Sequence, residues 1–168
     1  PNKAALLWSL GSSTVAFLGA GVWGFLHTLH GVNFYSHGTQ ITAAHGHLAF
    51  YGAYVALNLA FFSYAMPMIR QRAPYNQVLN MASFWLMTGG MAFMTFVLTF
   101  AGTIQTHMQR VIGDYYMEVQ DSLSIFYLMR WGSGLAVVIG ALLFIYAMLV
   151  VRRSEVITPG PATPVPGE

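Results

Sequence analysis

Residues 4–69 carry no charged side chain over 66 consecutive positions and read AALLWSLGSSTVAFLGAGVWGFLHTLHGVNFYSHGTQITAAHGHLAFYGAYVALNLAFFSYAMPMI. Two more uncharged runs follow, one of 37 residues between Arg72 and Arg110 and one of 21 residues between Arg130 and Arg152. A helix needs about 20 predominantly apolar residues to cross a bilayer. The first run is therefore long enough for two spans, and each later run for one.

These runs predict an all-α transmembrane fold with four membrane-spanning helices, at about residues 5–29, 41–69, 77–107 and 121–151. Lipid accommodates only helices or closed barrels as spanning structures, and the runs lack the short alternating pattern of barrel strands. Asp121 or Ser122 is the expected N-cap of the fourth helix. The transmembrane region would then cover residues 1–153, and the Pro- and Gly-rich residues 154–168 would form a disordered tail.

The overall composition excludes several common classes of protein. Only 7% of the 168 residues are charged, against about 25% in typical soluble domains, so the chain has too little charge to cover a water-exposed surface. There is no cysteine to form a disulfide or a covalent C-x-x-C-H haem attachment. Seven basic residues make no basic stripe, which excludes the usual nucleic-acid binder and leaves the lipid bilayer as the expected surroundings.

The distribution of basic residues predicts an orientation in the membrane. Four spans place both termini and the connection near residue 70 on one side, and five basic residues fall there: Lys3, Arg70, Arg72, Arg152 and Arg153. The segment 108–120 on the opposite side contains one, Arg110. Because cytoplasmic loops are enriched in Lys and Arg, both termini are expected to be cytoplasmic and segments 30–40 and 108–120 to face outward.

Histidine is concentrated in one part of the chain. Five of the six histidines fall within residues 27–47, and the full set is His27, His30, His37, His45, His47 and His107. Ionisable residues at membrane depth mark functional sites by default. His27 and His30 are expected to form hydrogen bonds at the membrane interface.

The pair His45 and His47 gives the sharpest chemical signal. Residues two apart on an α-helix differ by about 200° in direction, so these imidazoles cannot chelate one metal but can each bind a different partner. Neutral imidazole is the commonest metal ligand and a usual axial ligand of haem iron. Two non-covalent haems flanking one helix are one interpretation. The other is a pair of interfacial histidines that form hydrogen bonds with loop carbonyls.

The segment HGTQITAAHGHLAFYGAY at residues 37–54 resembles the haem-ligand helix of the nitric oxide reductases, in the haem–copper oxidase superfamily. The skeleton H-x-T-x5-H-x-H is similar to the superfamily motif, and the glycine between the histidines and the continuation LAFYGAY resemble the nitric oxide reductases. The resemblance extends through FLGAGVWGFLHTL at residues 17–29, VNFYSHGT at 32–39, FWLMT at 84–88 and QDSLSIFYLMR at 120–130. It is closest to the last four helices of the large catalytic subunit of the cytochrome c-dependent enzymes. That subunit is of the cytochrome b type and forms a twelve-helix bundle.

The resemblance implies a role for particular residues. His45 would be the axial ligand of the high-spin haem b3, and His47 one axial ligand of the low-spin haem b, with electrons passing from haem b to haem b3. His37 and Thr28 match family positions in the haem neighbourhood. The family reduces two NO to N2O and water.

The resemblance also implies parts that this sequence does not contain. The N-terminal helices of the same subunit would supply the second ligand of haem b, the ligands of a non-haem iron and the active-site glutamates. A c-type cytochrome subunit would be a partner, and the location would be a bacterial inner (cytoplasmic) membrane. The isolated chain is therefore expected to be inactive.

Two other functions stay open at this point. An oxygen-reducing haem–copper oxidase shares the haem helix, although Gly46 and LAFYGAY argue against it. A non-enzymatic haem b electron carrier would need a second histidine facing His47 from within the chain, and His27 and His107 are the candidates.

Three further expectations concern other side chains. The stripe Met87, Met91 and Met94 predicts packing, because thioethers fill irregular gaps. Arg130 is expected to extend its charge towards the interface or to pair with a polar group outside the sequence. Four aromatic residues are candidate interface anchors: Trp8, Trp23, Tyr35 and Trp131.

Overall fold

The computed structural model describes residues 2–71, 73 and 76–149. In this part of the chain the helices are, in order, α1 (Lys3–Thr28), α2 (His30–Ser36), α3 (Gln40–Ile69), α4 (Gln77–Ile112), α5 (Tyr116–Ser122) and α6 (Ser124–Leu149). The described residues include four helices long and apolar enough to cross a membrane, namely α1, α3, α4 and α6. The predicted all-α transmembrane fold with four spanning helices is confirmed.

Some of the predictions fall on residues that the structure does not describe. They are the tail at residues 154–168 and three of the five basic residues used to predict the orientation, Arg72, Arg152 and Arg153.

Polar side chains cap the N-termini of three of the spanning helices. Asn2 Oδ1 accepts a hydrogen bond from the Ala5 amide at 3.1 Å, and Asn76 Oδ1 accepts one from the Leu79 amide at 3.1 Å. Thr39 Oγ1 accepts from the Ile41 amide at 3.3 Å at the start of α3. Each bond satisfies one of the amide groups that a first helical turn leaves without an intrahelical partner.

The start of the fourth spanning helix differs from the prediction. Asp121 and Ser122 do not cap it, because they form the last turn of the separate short helix α5. Gly113 ends α4 in a left-handed conformation (φ 92°). The break between α5 and α6 lies at Leu123, whose backbone leaves the helical conformation (φ −96°, ψ 2°) and whose side chain is fully buried, as is that of Val119 in α5. The helix α6 begins only at Ser124.

The spanning helices pack in chain order. α1 lies against α3, α3 against α4, and α4 against α6 in the most extensive contact of the described chain. Gly52 lets α3 approach the backbone of α1 at Ala16, and Gly102 lets α4 approach the first turn of α3 at Ile41, since a Cβ at either glycine would collide with that backbone. Because α3 and α6 both pack on α4, a cleft remains between them.

The core joins all four spanning helices. Trp8 of α1 meets Phe84 of α4 and Phe144 of α6 edge-on, with ring centroids 5.0 and 5.9 Å away. Its indole N–H donates to Asn80 Oδ1 at 2.7 Å. The expectation that Trp8 anchors the chain at the interface is therefore wrong: it is fully buried, because Asn80 satisfies its polar atom inside the bundle.

The methionine stripe packs as predicted. Met87, Met91 and Met94 are all buried in the same core as Trp8, between α4 and its neighbours.

The outer surface of the bundle is largely apolar. Large side chains such as Phe17, Trp85 and Leu142 are about three-fifths exposed or more. Apolar patches of this extent are expected of a surface that faces lipid or other membrane helices. The chain is a multi-pass membrane protein. The end that carries α2 and α5 is called the histidine end below, since His30 and His37 lie there.

Candidate functional site

His45 and His47 lie in the first two turns of α3 and face opposite sides of it. His45 points towards α1, where its ring packs near Trp23 and against His27. His47 lines the cleft between α3, α4 and α6 together with Met94 and Tyr127. The helical spacing of the two residues predicts this arrangement, because a difference of about 200° places them on different faces.

The ring of His45 is oriented by a backbone carbonyl. Its Nδ1 lies 3.0 Å from the carbonyl oxygen of Gly19, and since a carbonyl only accepts, Nδ1 carries the proton. Nε2 then keeps its lone pair. A hydrogen bond of this kind to one ring nitrogen is the usual way to fix the tautomer and direction of a metal-binding histidine.

Local helix geometry supplies that carbonyl. Gly19 lies in the π-helical segment Phe17–Trp23 of α1, where its carbonyl also accepts from the Gly24 amide five residues later. Gly19 touches α3 directly, since a Cβ there would lie 2.7 Å from the Ala49 nitrogen. π-Helical turns are frequent at functional sites. Here the turn brings a carbonyl to His45.

A small-residue cavity of about 320 Å³ adjoins His45. It is lined by Ala20 and Gly24 of α1 and by Ala49 and Ala53 of α3, with Phe50 and Tyr54 at its aromatic side. These short side chains leave room for a flat ligand beside the imidazole.

His47 has its own carbonyl partner and its own space. Its Nδ1 lies 2.7 Å from the carbonyl oxygen of Ala43, one turn earlier in α3, so Nε2 is again the nitrogen left with a lone pair. Two cavities of about 600 and 440 Å³ border the ring. The larger is lined by Tyr127, Arg130 and Trp131 of α6, and the smaller by Tyr51 of α3.

His27 belongs to the His45 side of α3. Its ring stacks on His45 with centroids 4.8 Å apart, and its Nδ1 lies 3.0 Å from the Trp23 carbonyl oxygen. That bond agrees with the prediction of a hydrogen-bonding group, while the stacking places His27 against the site. Its Nε2 is buried without a partner.

His37 and Thr28 are exposed at the histidine end. The Thr28 hydroxyl donates to the Phe25 carbonyl at 2.7 Å, and the His37 carbonyl accepts from Arg110 at 3.4 Å. Neither residue lines the cavities beside His45 and His47.

Sequence reasoning missed a network of glutamines beside the His47 cleft. Gln105 of α4 is buried, and its Oε1 accepts from the backbone amide of Gln40 at 2.8 Å. The Gln40 side chain donates to the Tyr127 hydroxyl at 3.1 Å, and that hydroxyl donates to Gln120 Oε1. The network joins α3, α4, α5 and α6 at the histidine end. In the sequence, the one signal for this network is a side-chain amide, that of Gln105, in the otherwise apolar helix α4.

The donor set fits a ligand that brings most of its own metal-binding atoms. Among residues 2–71, 73 and 76–149, no three or more His, Asp or Glu side chains cluster to hold a bare ion. Each of the two imidazoles instead presents one nitrogen beside a largely apolar cavity. A porphyrin needs only an axial nitrogen and an apolar pocket, so the residues present fit haem.

The fold and this site define a class: a multi-pass membrane protein in which one spanning helix, α3, presents an imidazole on each of two opposite sides. A family model described as cytochrome C and quinol oxidase polypeptide I matches residues 1–136, and the chain belongs to that family. It is also 46% identical to a nitric oxide reductase subunit of Stutzerimonas stutzeri over 170 aligned positions. That alignment covers 96% of this chain and 36% of the relative, so the chain spans about a third of the relative's length. The resemblance seen in the sequence motifs is confirmed.

Proposed function

We propose that this chain is the haem-binding portion of the catalytic subunit of a membrane nitric oxide reductase. His45 is the axial ligand of a high-spin haem b3, and His47 is one axial ligand of a low-spin haem b. The observation that carries the proposal is the pair of imidazoles on opposite sides of α3, each with Nδ1 held by a carbonyl and each beside a cavity. The similarity to the nitric oxide reductase of Stutzerimonas stutzeri supports it.

Each part of the chain has a defined task in this proposal. The carbonyls of Gly19 and Ala43 fix the two ring orientations, and the small residues beside His45 admit a flat macrocycle. His45-Gly46-His47 keeps the covalent path between the two sites to a single intervening residue. When bound, the haems supply iron that changes oxidation state by one electron. The overall reaction joins two NO to N2O and water with two electrons and two protons.

Further parts of the proposal concern groups outside this sequence. The second ligand of haem b and the ligands of a non-haem iron belong to the N-terminal helices of the same subunit. A c-type cytochrome subunit supplies electrons. The membrane is the bacterial inner membrane, with the Lys3 and Arg70 side in the cytoplasm and the histidine end outside, in line with the excess of basic residues in the sequence on the first side.

The electron-carrier alternative finds no support in the cleft. It needs a second histidine facing His47, but His27 stacks on His45 on the other side of α3. His107 lies in the last segment of α4, and it does not line either cavity beside His47. The oxidase alternative is left to experiment.

The first prediction tests the reaction. Membranes containing the full-length subunit and its electron-donating partner are expected to convert NO to N2O when a reductant is supplied, because both proposed haem ligands are present. NO consumption is followed with an NO electrode and N2O by gas chromatography. Oxygen uptake in the same membranes is the comparison. Rapid oxygen reduction without N2O formation would favour the oxidase alternative.

The second prediction concerns the Gly19 carbonyl that accepts the hydrogen bond from His45 Nδ1. Gly19→Ala places a methyl group 2.7 Å from the Ala49 nitrogen and 2.8 Å from the Leu48 carbonyl carbon, so α1 and α3 must separate. Overpacking of this kind typically costs about 1–3 kcal/mol. The separation weakens the bond from His45 Nδ1 to Gly19. Resonance Raman spectra of the reduced high-spin haem should therefore show a lower iron–histidine stretching frequency.

Gly21→Ala is the matched control for this change. It lies in the same π-helical segment, but its added methyl group meets only the Phe17 ring at 3.5 Å, which is an ordinary contact. The control should keep the unsubstituted frequency. If Gly19→Ala also kept the unsubstituted iron–histidine frequency, the Gly19 carbonyl would not orient His45.

A further inference from the structure

Arg130 brings a positive charge into the same cavity as His47. It lies six residues after the start of α6, about 9 Å along the helix at 1.5 Å per residue. His47 lies seven residues after the start of α3, about 10 Å from the same end. The two side chains are therefore at similar depth, and both line the cavity of about 600 Å³.

No carboxylate of the described chain neutralises this charge. Among residues 2–71, 73 and 76–149 the acidic residues are Asp114, Glu118 and Asp121, all of which precede α6, and none forms an ion pair with Arg130. Ionisable side chains inside a membrane nearly always pair with another group, because an unpaired charge there is costly. The acceptor for Arg130 must therefore come from a ligand or from another part of the protein.

Among the described side chains that line this cavity, none offers the Arg130 guanidinium a free oxygen acceptor, and the acceptor nitrogen His47 Nε2 is the atom proposed to hold the iron. The hydroxyl of Tyr127, which lines the same cavity, is already engaged by Gln40 and Gln120. The amide Nε2 of Gln120 is buried without a partner, so a second N–H donor near Tyr127 is unsatisfied. The rest of the cavity wall is mostly apolar, with Met94, Leu135 and Val138. A ligand with carboxylate oxygens would correct this imbalance of donors.

We propose that Arg130 binds a carboxylate in the His47 cavity, and that this carboxylate is a propionate of the porphyrin held by His47. The inference rests on the proposed function. A b-type porphyrin carries its carboxylates at the edge of an apolar macrocycle, which matches a cavity that runs from an imidazole to a guanidinium. The planar fork of arginine suits a carboxylate, with two N–H donors for its two oxygens.

This contact sets the redox equilibrium of the haem on His47. Arg130 neutralises a negative charge close to the iron, and without it that charge stabilises the oxidised, more positive iron. Arg130→Met should therefore shift the equilibrium towards the oxidised form by about tenfold, which is about 59 mV for a one-electron couple. Arg130→Lys keeps the positive charge, so the potential of its low-spin haem should lie much closer to the unsubstituted value than that of Arg130→Met.

The experiment is a spectroelectrochemical titration of the low-spin haem in the full-length subunit. Resonance Raman spectra of the same samples report the propionate bending mode. Arg70→Met is the matched control, because it removes the same charge from the other end of the bundle, where Arg70 is exposed. This control should leave both the potential and the propionate mode unchanged.

The outcomes separate the possible sources of the carboxylate. A lower potential and a shifted propionate mode in Arg130→Met support the proposal. A bound low-spin haem with unchanged potential overturns it. A lower potential with an unchanged propionate mode also overturns it, and assigns the carboxylate to another segment of the subunit. If Arg130→Met fails to assemble, the propionate mode of Arg130→Lys decides, because a single ammonium cannot reproduce the fork.

Failure of this proposal is distinguishable from failure of the proposed function. If unsubstituted protein contains a low-spin haem that His47→Ala lacks, the ligand assignment stands whatever Arg130 does. If the unsubstituted protein and His47→Ala both contain the low-spin haem, His47 does not hold it, and both the proposed function and the Arg130 proposal are wrong.

Discussion

Replacing His47 with alanine in the full-length subunit is expected to remove the low-spin haem and to leave the high-spin haem in place. Among the described residues, its side chain is the one imidazole that borders the two cavities between α3, α4 and α6. Alanine offers no nitrogen to the iron, while His45 and the Gly19 carbonyl on the other side of α3 are untouched. The measurement is the haem-to-protein ratio by pyridine haemochrome, together with the sharp α-band of reduced low-spin haem.

His107→Ala provides the control for this substitution. It removes an imidazole from the last segment of α4, away from both cavities beside His47. The control should keep the full haem content and the α-band. If His47→Ala also kept its α-band at full intensity, His47 would not be a ligand.

Replacing His45 with alanine is expected to abolish NO reduction while the low-spin α-band remains. Changes to groups that only orient a metal ligand typically cost about 10- to 100-fold in metal affinity or activity, so loss of the ligand itself should exceed about 100-fold. The low-spin haem remains because His47 and its Ala43 carbonyl partner face the other side. NO consumption and the α-band are measured on the same membranes.

His30→Ala is the matched control for His45. His30 is an exposed residue in the first turn of α2, near the same end of the bundle. Its substitution should leave NO consumption within the experimental scatter. Substantial NO reduction by His45→Ala, at about a tenth of the unsubstituted rate or more, would remove His45 from the site.

The features that the sequence predicted correctly depend on local periodicity or on charge. Uncharged runs locate the four spanning helices, because a helix that crosses the bilayer needs about 20 predominantly apolar residues in a row, and such a run can be read directly from the sequence. The opposite directions of His45 and His47 follow from the helical repeat, with no need of tertiary structure. The packing of Met87, Met91 and Met94 likewise follows from their spacing on one face of α4.

The features that the sequence did not predict depend on contacts between distant segments. Trp8 was an expected interface anchor, but Asn80, 72 residues away, satisfies its indole N–H in the core. The carbonyl partner of His45 comes from Gly19, 26 residues earlier, through a π-helical segment that leaves no simple pattern in the sequence. The network around Gln105 also joins residues that only the packed bundle brings together.

The central claim is that one helix holds two different haems, one on each side. Low-temperature magnetic circular dichroism of the oxidised full-length subunit tests it most directly, because high-spin and low-spin haem are quantified in one sample. His45→Ala should lose only the high-spin signal, and His47→Ala only the low-spin signal. Loss of the same signal in both variants, or of neither signal in either one, would contradict the assignment of His45 and His47 to separate haems.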